Sequence, residues 1–352
     1  MWEVSIGRYG TNGCRSTIGQ NWQKFKTLQR SGCGLTTMTA QTWPWAGSHP
    51  SSGWPWLRNV STSVSLAKGE DYKFTKSARP MNTKRPAQDW MQLYLATLQN
   101  LRSTWPHNWP GLPLVLEACM QRLWSGHASK INSHAGQLLQ AAQTMARHIE
   151  DLAQQTDDEP QYHNRLHTAD ALTAVCLMMQ ALQDKGHALS DEWIAAILLA
   201  VTSHDVLHPG GANSFLQEFE QRSALEMRRV SQKWLVGHLW LDRVSEMILR
   251  TDPSLVAGNH DKVKGLAFEM NLVWACVLIN EADILASATA SHGTELGQAL
   301  AAEWAEKNHP LSSVVGTAQG RLQFLASLRF STPASEVFQM RMQVSQQMTL
   351  LQ

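Results

Sequence analysis

The amino-acid sequence predicts an all-α protein, a compact domain of many helices spanning roughly residues 85–350. Three observations carry that prediction. From about residue 88 onward apolar residues recur at steps of three and four, as they do along one face of a helix. Proline and glycine interrupt this pattern at short intervals. No strand-rich stretch competes with it.

The elements follow in order. Helical character starts in "QDWMQLYLATL", and a further helix is expected over about 113–126. Leu138, Ala142, Met145, Ile149 and Leu152 form a single apolar stripe on a long helix. Further helices are expected at about 162–184, 191–203, 222–239, 241–250, 262–290, 295–308, 317–330 and 334–349. Pro110, Pro160, Pro209-Gly210-Gly211, Pro253 and Pro310 mark the breaks. Ser190 reads as the helix cap in "GHALSDEW", without the acidic partner of a full capping box. "LMMQAL" at 177–182 reads as core.

Residues 1–80 have a different grammar. They contain six Trp and nine Gly, centred on "TWPWAGSHPSSGWPW", and show neither periodicity. Three readings stand side by side: a recognition segment for a partner or a membrane surface, a disordered leader, or a segment ahead of natural translation from Met81. The expected division is therefore 1–80 as a low-structure leader and 81–352 as the helical domain.

The totals exclude several function classes. The net charge of +1 conceals an asymmetry, because residues 1–80 hold ten Lys and Arg against three Asp and Glu. The first part is thus about +7 and the remainder about −6. A net negative domain offers no electrostatic footprint for a nucleic-acid polymer. The longest apolar runs, 193–201 and 272–279, are far short of the roughly 20 residues of a membrane span. Five scattered cysteines without a C-x-x-C pair suit a reducing compartment. The N-terminus lacks a signal-peptide layout, so a cytoplasmic location is expected.

Three stretches carry chemistry. In "QYHNRLHTAD" His163 and His167 stand four apart, on one face if the stretch is helical, with Asp170 three further on. Alone, such a pair is equally a solvated polar helix face. In "LLAVTSHDVLHPGGANSF" an apolar helix runs into adjacent His204 and Asp205, with His208 four residues after His204. Adjacent His-Asp at a helix end offers one nitrogen and one carboxylate to the same ion, and a carboxylate can bridge two. In "VWACVLINEADILASA" Asp283 follows a long apolar run, where a charge is costly unless paired or bound to metal. A backbone amide or an arginine would satisfy it equally well.

Together these stretches resemble the HD-superfamily metal-dependent phosphohydrolases, specifically the catalytic domain of class I 3′,5′-cyclic-nucleotide phosphodiesterases. "YHNRLHTAD" is similar to that family's Y-H-N-x-x-H-x-x-D signature, and "HDVLHPGGANSF" to its H-D-x-x-H-P-G-x-x-N-x-F signature. Weaker echoes in 247–254, 278–284 and 324–338 extend the resemblance over about 160–340. The resemblance implies that His167, His204, Asp205 and Asp283 ligate a tightly held ion, zinc being expected. Asp205 would also reach a second ion, magnesium or manganese. Two such ions neutralise a phosphodiester and acidify a bridging water. His163 would be the general acid that protonates the leaving ribose oxygen. His208, Asp170 and Asn213 would orient ligands or water, and Tyr162 would pack.

The sequence departs from the family in four places, one of them the shorter intervals from Asp205 to Asp252 and from Asp252 to Asp283. Leu207 stands where the family has a second acid in H-D-x-D-H. The family's L-E-x-H-H stretch has no clean counterpart, with Glu226 and His238 the nearest candidates. At the base-binding end, if Phe324 is the stacking residue, the family's glutamine falls on Arg321, flanked by Gln319 and Gln323. Phe324 reads equally as core on an amphipathic helix, and Arg321 as a contact for a phosphate or base carbonyl. His127, His134, His148, His187, His260, His292 and His309 lack ligand spacing and read as surface or capped histidines.

The expected activity is hydrolysis of a 3′,5′-cyclic nucleotide, cyclic AMP foremost, to the 5′-monophosphate. The alternatives are an HD phosphohydrolase acting on another nucleotide phosphoester, and a non-catalytic metal or nucleotide sensor.

Overall fold

The computed structural model describes residues 89–124, 134–156 and 159–352, all within a unit spanning Ser51–Gln352. Every regular element among the described residues is helical. The expectations for residues 1–80 lie outside them.

Most helix centres lie in the expected ranges, a helix over Pro253–Val263 being one that was not expected, and the boundaries follow from caps. Helix α1 (Trp90–Thr104) opens where the Asp89 carboxylate accepts the amide of Gln92. Helices α2 (Leu112–Leu123) and α3 (His134–Gln155) follow. Helix α4 (Arg165–Asp184) starts at Asn164, whose side-chain oxygen accepts the amides of Leu166 and His167. The expected cap Ser190 accepts the amide of Trp193 and opens α5 (Asp191–Ser203).

Helices α6 (Glu218–Ser231), α7 (His238–Leu249) and α8 (Pro253–Val263) come next. The helix expected over 222–239 starts earlier and ends earlier, because α6 closes in a 3-10 turn over Gln232–Trp234 and Leu235 takes a left-handed conformation at φ 53°. Pro253 does more than break the chain. It occupies the first helical position of α8, where its missing N–H costs nothing.

The long helix expected over 262–290 is also divided. After α8 the chain turns at Gly265 and restarts at Asn271, which caps α9 (Leu272–Asp283) through the amides of Val273 and Trp274. A short α10 (Leu285–Ala288) follows. The remaining helices are α11 (Gly293–Glu306), α12 (Ser312–Val315), α13 (Ala318–Ser327), α14 (Pro333–Val337) and α15 (Met340–Leu351). The last two replace the one helix expected over 334–349, and left-handed Gln339 separates them.

Helix α4 is the axis of the unit. From His167 to Met179 every residue is buried, which only a helix enclosed on all sides permits. It packs against α1, α2, α5, α9, α10 and α14. Met178 and Met179 are fully buried, as expected of core. Helix α5 is likewise buried from Ile194 through Ser203 and lies along α3. Four buried segments thus converge: the start of α4, the ends of α5 and α9, and the flank of α11. No helix among the described residues is long and apolar enough to cross a membrane.

Candidate metal and phosphoester site

His167 lies in the first turn of α4, His204 immediately follows α5, Asp205 comes next, and Asp283 is the last residue of α9. Their polar atoms meet. His167 Nε2 is 2.9 Å from Asp283 Oδ1 and 3.3 Å from Asp205 Oδ2. His204 Nε2 is 3.1 Å from Asp205 Oδ2 and 3.3 Å from Asp283 Oδ1. The two imidazoles are 5% and 2% exposed.

The local fold dictates which nitrogens face this point. His204 Nδ1 lies 2.8 Å from the carbonyl oxygen of Val201, which can only accept, so Nδ1 carries the proton and the Nε2 lone pair turns inward. Neither His204 Nε2 nor Asp283 Oδ1 is aligned for a hydrogen bond, although both are buried. Lone pairs converging on one point at these separations are what a divalent cation requires, and an N₂O₂ donor set suits zinc or a similar ion. His167, His204 and Asp283 therefore fit a metal site by chemistry and burial. Burial pulls the His167 imidazole down, but the neighbouring Asp205 and Asp283 carboxylates overcome it and raise it to about 9. Burial opposes ionisation of Asp283 too, and the two imidazoles hold its carboxyl well below the usual range.

His163 sits beside this group under a different constraint. Its Nδ1 is 2.6 Å from Glu303 Oε1 on α11. A carboxylate accepts, so Nδ1 donates and Nε2 is left for a reacting group. Glu303 Oε2 also accepts the backbone amides of Tyr162 and His163, at 2.8 and 2.9 Å, and Oε1 accepts the amide of Gly211 at 3.3 Å. Burial would raise the Glu303 carboxyl, but the His163 bond and these amides hold it at about 2. Gly210 and Gly211 both take positive φ, at 77° and 96°, and a Cβ on Gly210 would come within 3.1 Å of Glu303 Cγ. The Pro-Gly-Gly turn is therefore what lets this loop close over Glu303.

The remaining expected residues divide. His208 stacks on His163 with ring centroids 3.8 Å apart, and its Nδ1 accepts the amide of Gly210. Burial and then the charge of His163 lower its pKa to about 3, so it is neutral. His163, His208 and Glu303 also bring three donor atoms together, but the Nδ1–carboxylate bond and the loop amides already occupy Glu303 and the two Nδ1 atoms. Both Asp170 oxygens bind Arg102 of α1, at 2.9 and 2.6 Å. Asn213 donates its amide to Glu220 and Asp252 and accepts the amide of Phe219. Tyr162 is held against His163 and His167, with its hydroxyl 3.0 Å from Ser287 Oγ.

At the expected base-binding end, the Arg321 guanidinium stacks on Phe324 at 4.7 Å and donates to Ser287 and Gln347. Gln323 is exposed and Phe324 half-buried. Glu226 lies away from the group: it pairs with His148 and Arg229. His260 and His292, read as surface or capped, are buried instead. Leu207 is 48% exposed, so the position of the missing acid faces solvent.

Glu303 went unnoticed in the sequence because "AAEWAEKNHP" has no motif around it and the contact spans 140 residues. Glu281 was missed for a similar reason. Fully buried two residues before Asp283, it accepts the amides of Ser331 and Thr332 and the Thr332 hydroxyl, and so pins the chain after α13 to α9.

A hollow of about 400 Å³ lies elsewhere, between the α1–α2 connection and α3, lined by Trp109, Glu150 and Arg165 among others. Its charged groups satisfy one another, because Arg165 binds Glu150 and Glu159 and Glu150 also takes the Trp109 indole. It offers no unused chemistry.

The family model for 3′5′-cyclic nucleotide phosphodiesterase matches residues 162–232, the stretch that holds His163, His167, His204, Asp205 and His208. No curated protein matches the chain. Over those residues the chain is similar to the 3′5′-cyclic nucleotide phosphodiesterases, and every regular element among its described residues is helical.

Proposed function

We propose that the protein hydrolyses a 3′,5′-cyclic nucleotide, cyclic AMP foremost, to the 5′-monophosphate in the cytoplasm. The observation that carries this reading is the meeting of His167, His204, Asp205 and Asp283 beside a histidine whose Nδ1 is already committed to Glu303. His167, His204, Asp205 and Asp283 would hold one divalent ion, zinc, and Asp205 a second, magnesium or manganese. Such ions supply positive charge against the phosphodiester and acidify water.

The rest of the work belongs to side chains. His163, protonated, gives its Nε2 proton to the departing 3′ oxygen as the phosphorus–oxygen bond breaks. Glu303 keeps that imidazole in one orientation, because its carboxylate accepts from Nδ1 and leaves Nε2 facing the site. His208, neutral and stacked on His163, adds no competing positive charge. Asp170 and Asn213 act by holding α4 and the α5–α6 loop in place. Phe324 and Gln323 are the base-side candidates on α13.

The test is metal content measured together with hydrolysis of cyclic AMP and cyclic GMP by the full chain, with magnesium or manganese supplied. Turnover with near-stoichiometric zinc supports the reading. Bound metal without turnover shifts it to another nucleotide phosphoester or a non-catalytic sensor, and protein that binds no metal overturns it.

A further inference from the structure

Arg321 is a cation in an unusual place. It is 4% exposed, and its Nη2 donates to the carbonyl of Ser287 at 2.7 Å and to Gln347 Oε1 at 2.9 Å, both neutral groups. Its flat face rests on Phe324, and its Nε has no hydrogen-bond partner among the described residues. Burying a guanidinium without a carboxylate beside it is expensive, so a fold that keeps one gains something from its shape and reach.

Two structural paths run from Arg321 to the same histidine. The first passes through Ser287. The Ser287 carbonyl takes the Arg321 donor, and its hydroxyl is 3.0 Å from that of Tyr162. The Tyr162 ring then meets His163 edge-on, with centroids 4.8 Å apart. The second passes through α11. A Cβ on Gly297 would lie 2.5 Å from Arg321 Cδ, so this helix rests directly on the arginine stem. Six residues further along α11 stands Glu303, which fixes His163 Nδ1.

We infer that Arg321 is a positioning residue for His163, a strut beneath both of its supports, the Tyr162 ring and the Glu303 carboxylate. The inference rests on the proposed role of His163 as proton donor. It assigns Arg321 no contact with the nucleotide.

The experiment compares Arg321→Met and Arg321→Lys with the wild-type full chain, reading kcat, KM and metal content. A second readout is the imidazole Nδ1–H resonance of His163 in protein labelled with ¹⁵N-histidine. Arg321→Met is expected to lower kcat by about 10- to 100-fold, the cost of a small misplacement, with metal content and KM unchanged. The His163 resonance should shift or broaden. Arg321→Lys, which restores one donor for Ser287, should recover part of both.

Gly297→Ala presses on the same strut from α11 and provides a second variant if Arg321→Met does not fold. Its loss in kcat should shrink in an Arg321→Ala background, where the stem it meets is gone. An unchanged kcat and His163 resonance in Arg321→Met would overturn the inference. So would a raised KM for one nucleotide at unchanged kcat, which would instead make Arg321 a base contact. If the wild type hydrolyses no cyclic nucleotide, the proposed function fails, and the His163 resonance alone still decides the strut.

Discussion

His163 Nδ1 lies 2.6 Å from Glu303 Oε1, and through that one carboxylate α11 grips both the Tyr162–His163 turn and the Gly211 loop. The contact joins two segments 140 residues apart and orients the histidine that stands beside the proposed metal ligands. Replacing Glu303 by Gln keeps the shape and removes the negative charge. Turnover should fall by at least about tenfold, in the range typical of groups that orient a working histidine. Metal content, measured on the same samples, should not change, since Glu303 touches none of the four proposed ligands.

The division of labour between binding and proton transfer separates in two variants. Asp205→Ala removes an oxygen that faces both His167 and His204, so metal content and turnover should fall together. His163→Ala should retain the metal and lose roughly 10²–10⁴-fold in turnover, the usual share of a general acid. An emptied site in His163→Ala would show that His163 is a ligand rather than a donor.

Leu207 occupies a left-handed conformation at φ 63° between Asp205 and His208. A branched aliphatic residue is strained there by about 1–2 kcal/mol, whereas glycine is not. Because the side chain is largely exposed, little packing is lost by removing it. Leu207→Gly should therefore raise the free energy of unfolding measured in urea, by up to about 1 kcal/mol after the added chain entropy of glycine is counted. Leu207→Ala, which keeps the strain, should not.

Asp170 is 1% exposed, and both its oxygens depend on Arg102. Arg102→Met strands a buried carboxylate and should cost about 3–5 kcal/mol in denaturant unfolding. Arg102→Met combined with Asp170→Leu should recover most of that loss, because removing both partners leaves no uncompensated charge.

His260 and His292 set an acid limit. Burial pushes each imidazole down to about 4, the positive charge of Arg329 adding to this at His260 and that of Arg102 at His292. Asp261 opposes the shift at His260. A depressed folded pKa means that the unfolded chain takes up protons first as pH falls. The stability tied to the neutral imidazoles is therefore complete above about pH 6.5 and is lost between there and about 4. His260→Asn, which retains a donor or acceptor for Ser331, should flatten the decline of thermal midpoint across that window. An equally steep decline would remove His260 from the account.

The fold class was legible because helices announce themselves locally. Periodicity of three and four, Ser190 at its cap and the prolines between elements are short-range properties, and α4 and α5 lie close to where that pattern places them. The splits at 264–271 and at Gln339 were not legible. The residues around them read as helical, and only backbone turns at Gly265 and Gln339 interrupt them.

The sequence by itself determined the chemistry available to this protein. It places His163 four residues before His167, sets His204 beside Asp205 at the end of an apolar helix, and ends another apolar run in Asp283, all within segments of a few residues, although His163 lies just ahead of α4 rather than on it. The tertiary structure alone decided how those segments meet and what supports them. Glu303 behind His163, Arg102 on Asp170, and Arg321 between Ser287 and Gly297 are contacts across 24 to 140 residues. An isolated glutamate or arginine in sequence carries no mark of its partner. Its role appears only when burial forces each charge to find one, and that is settled by how the helices pack around α4.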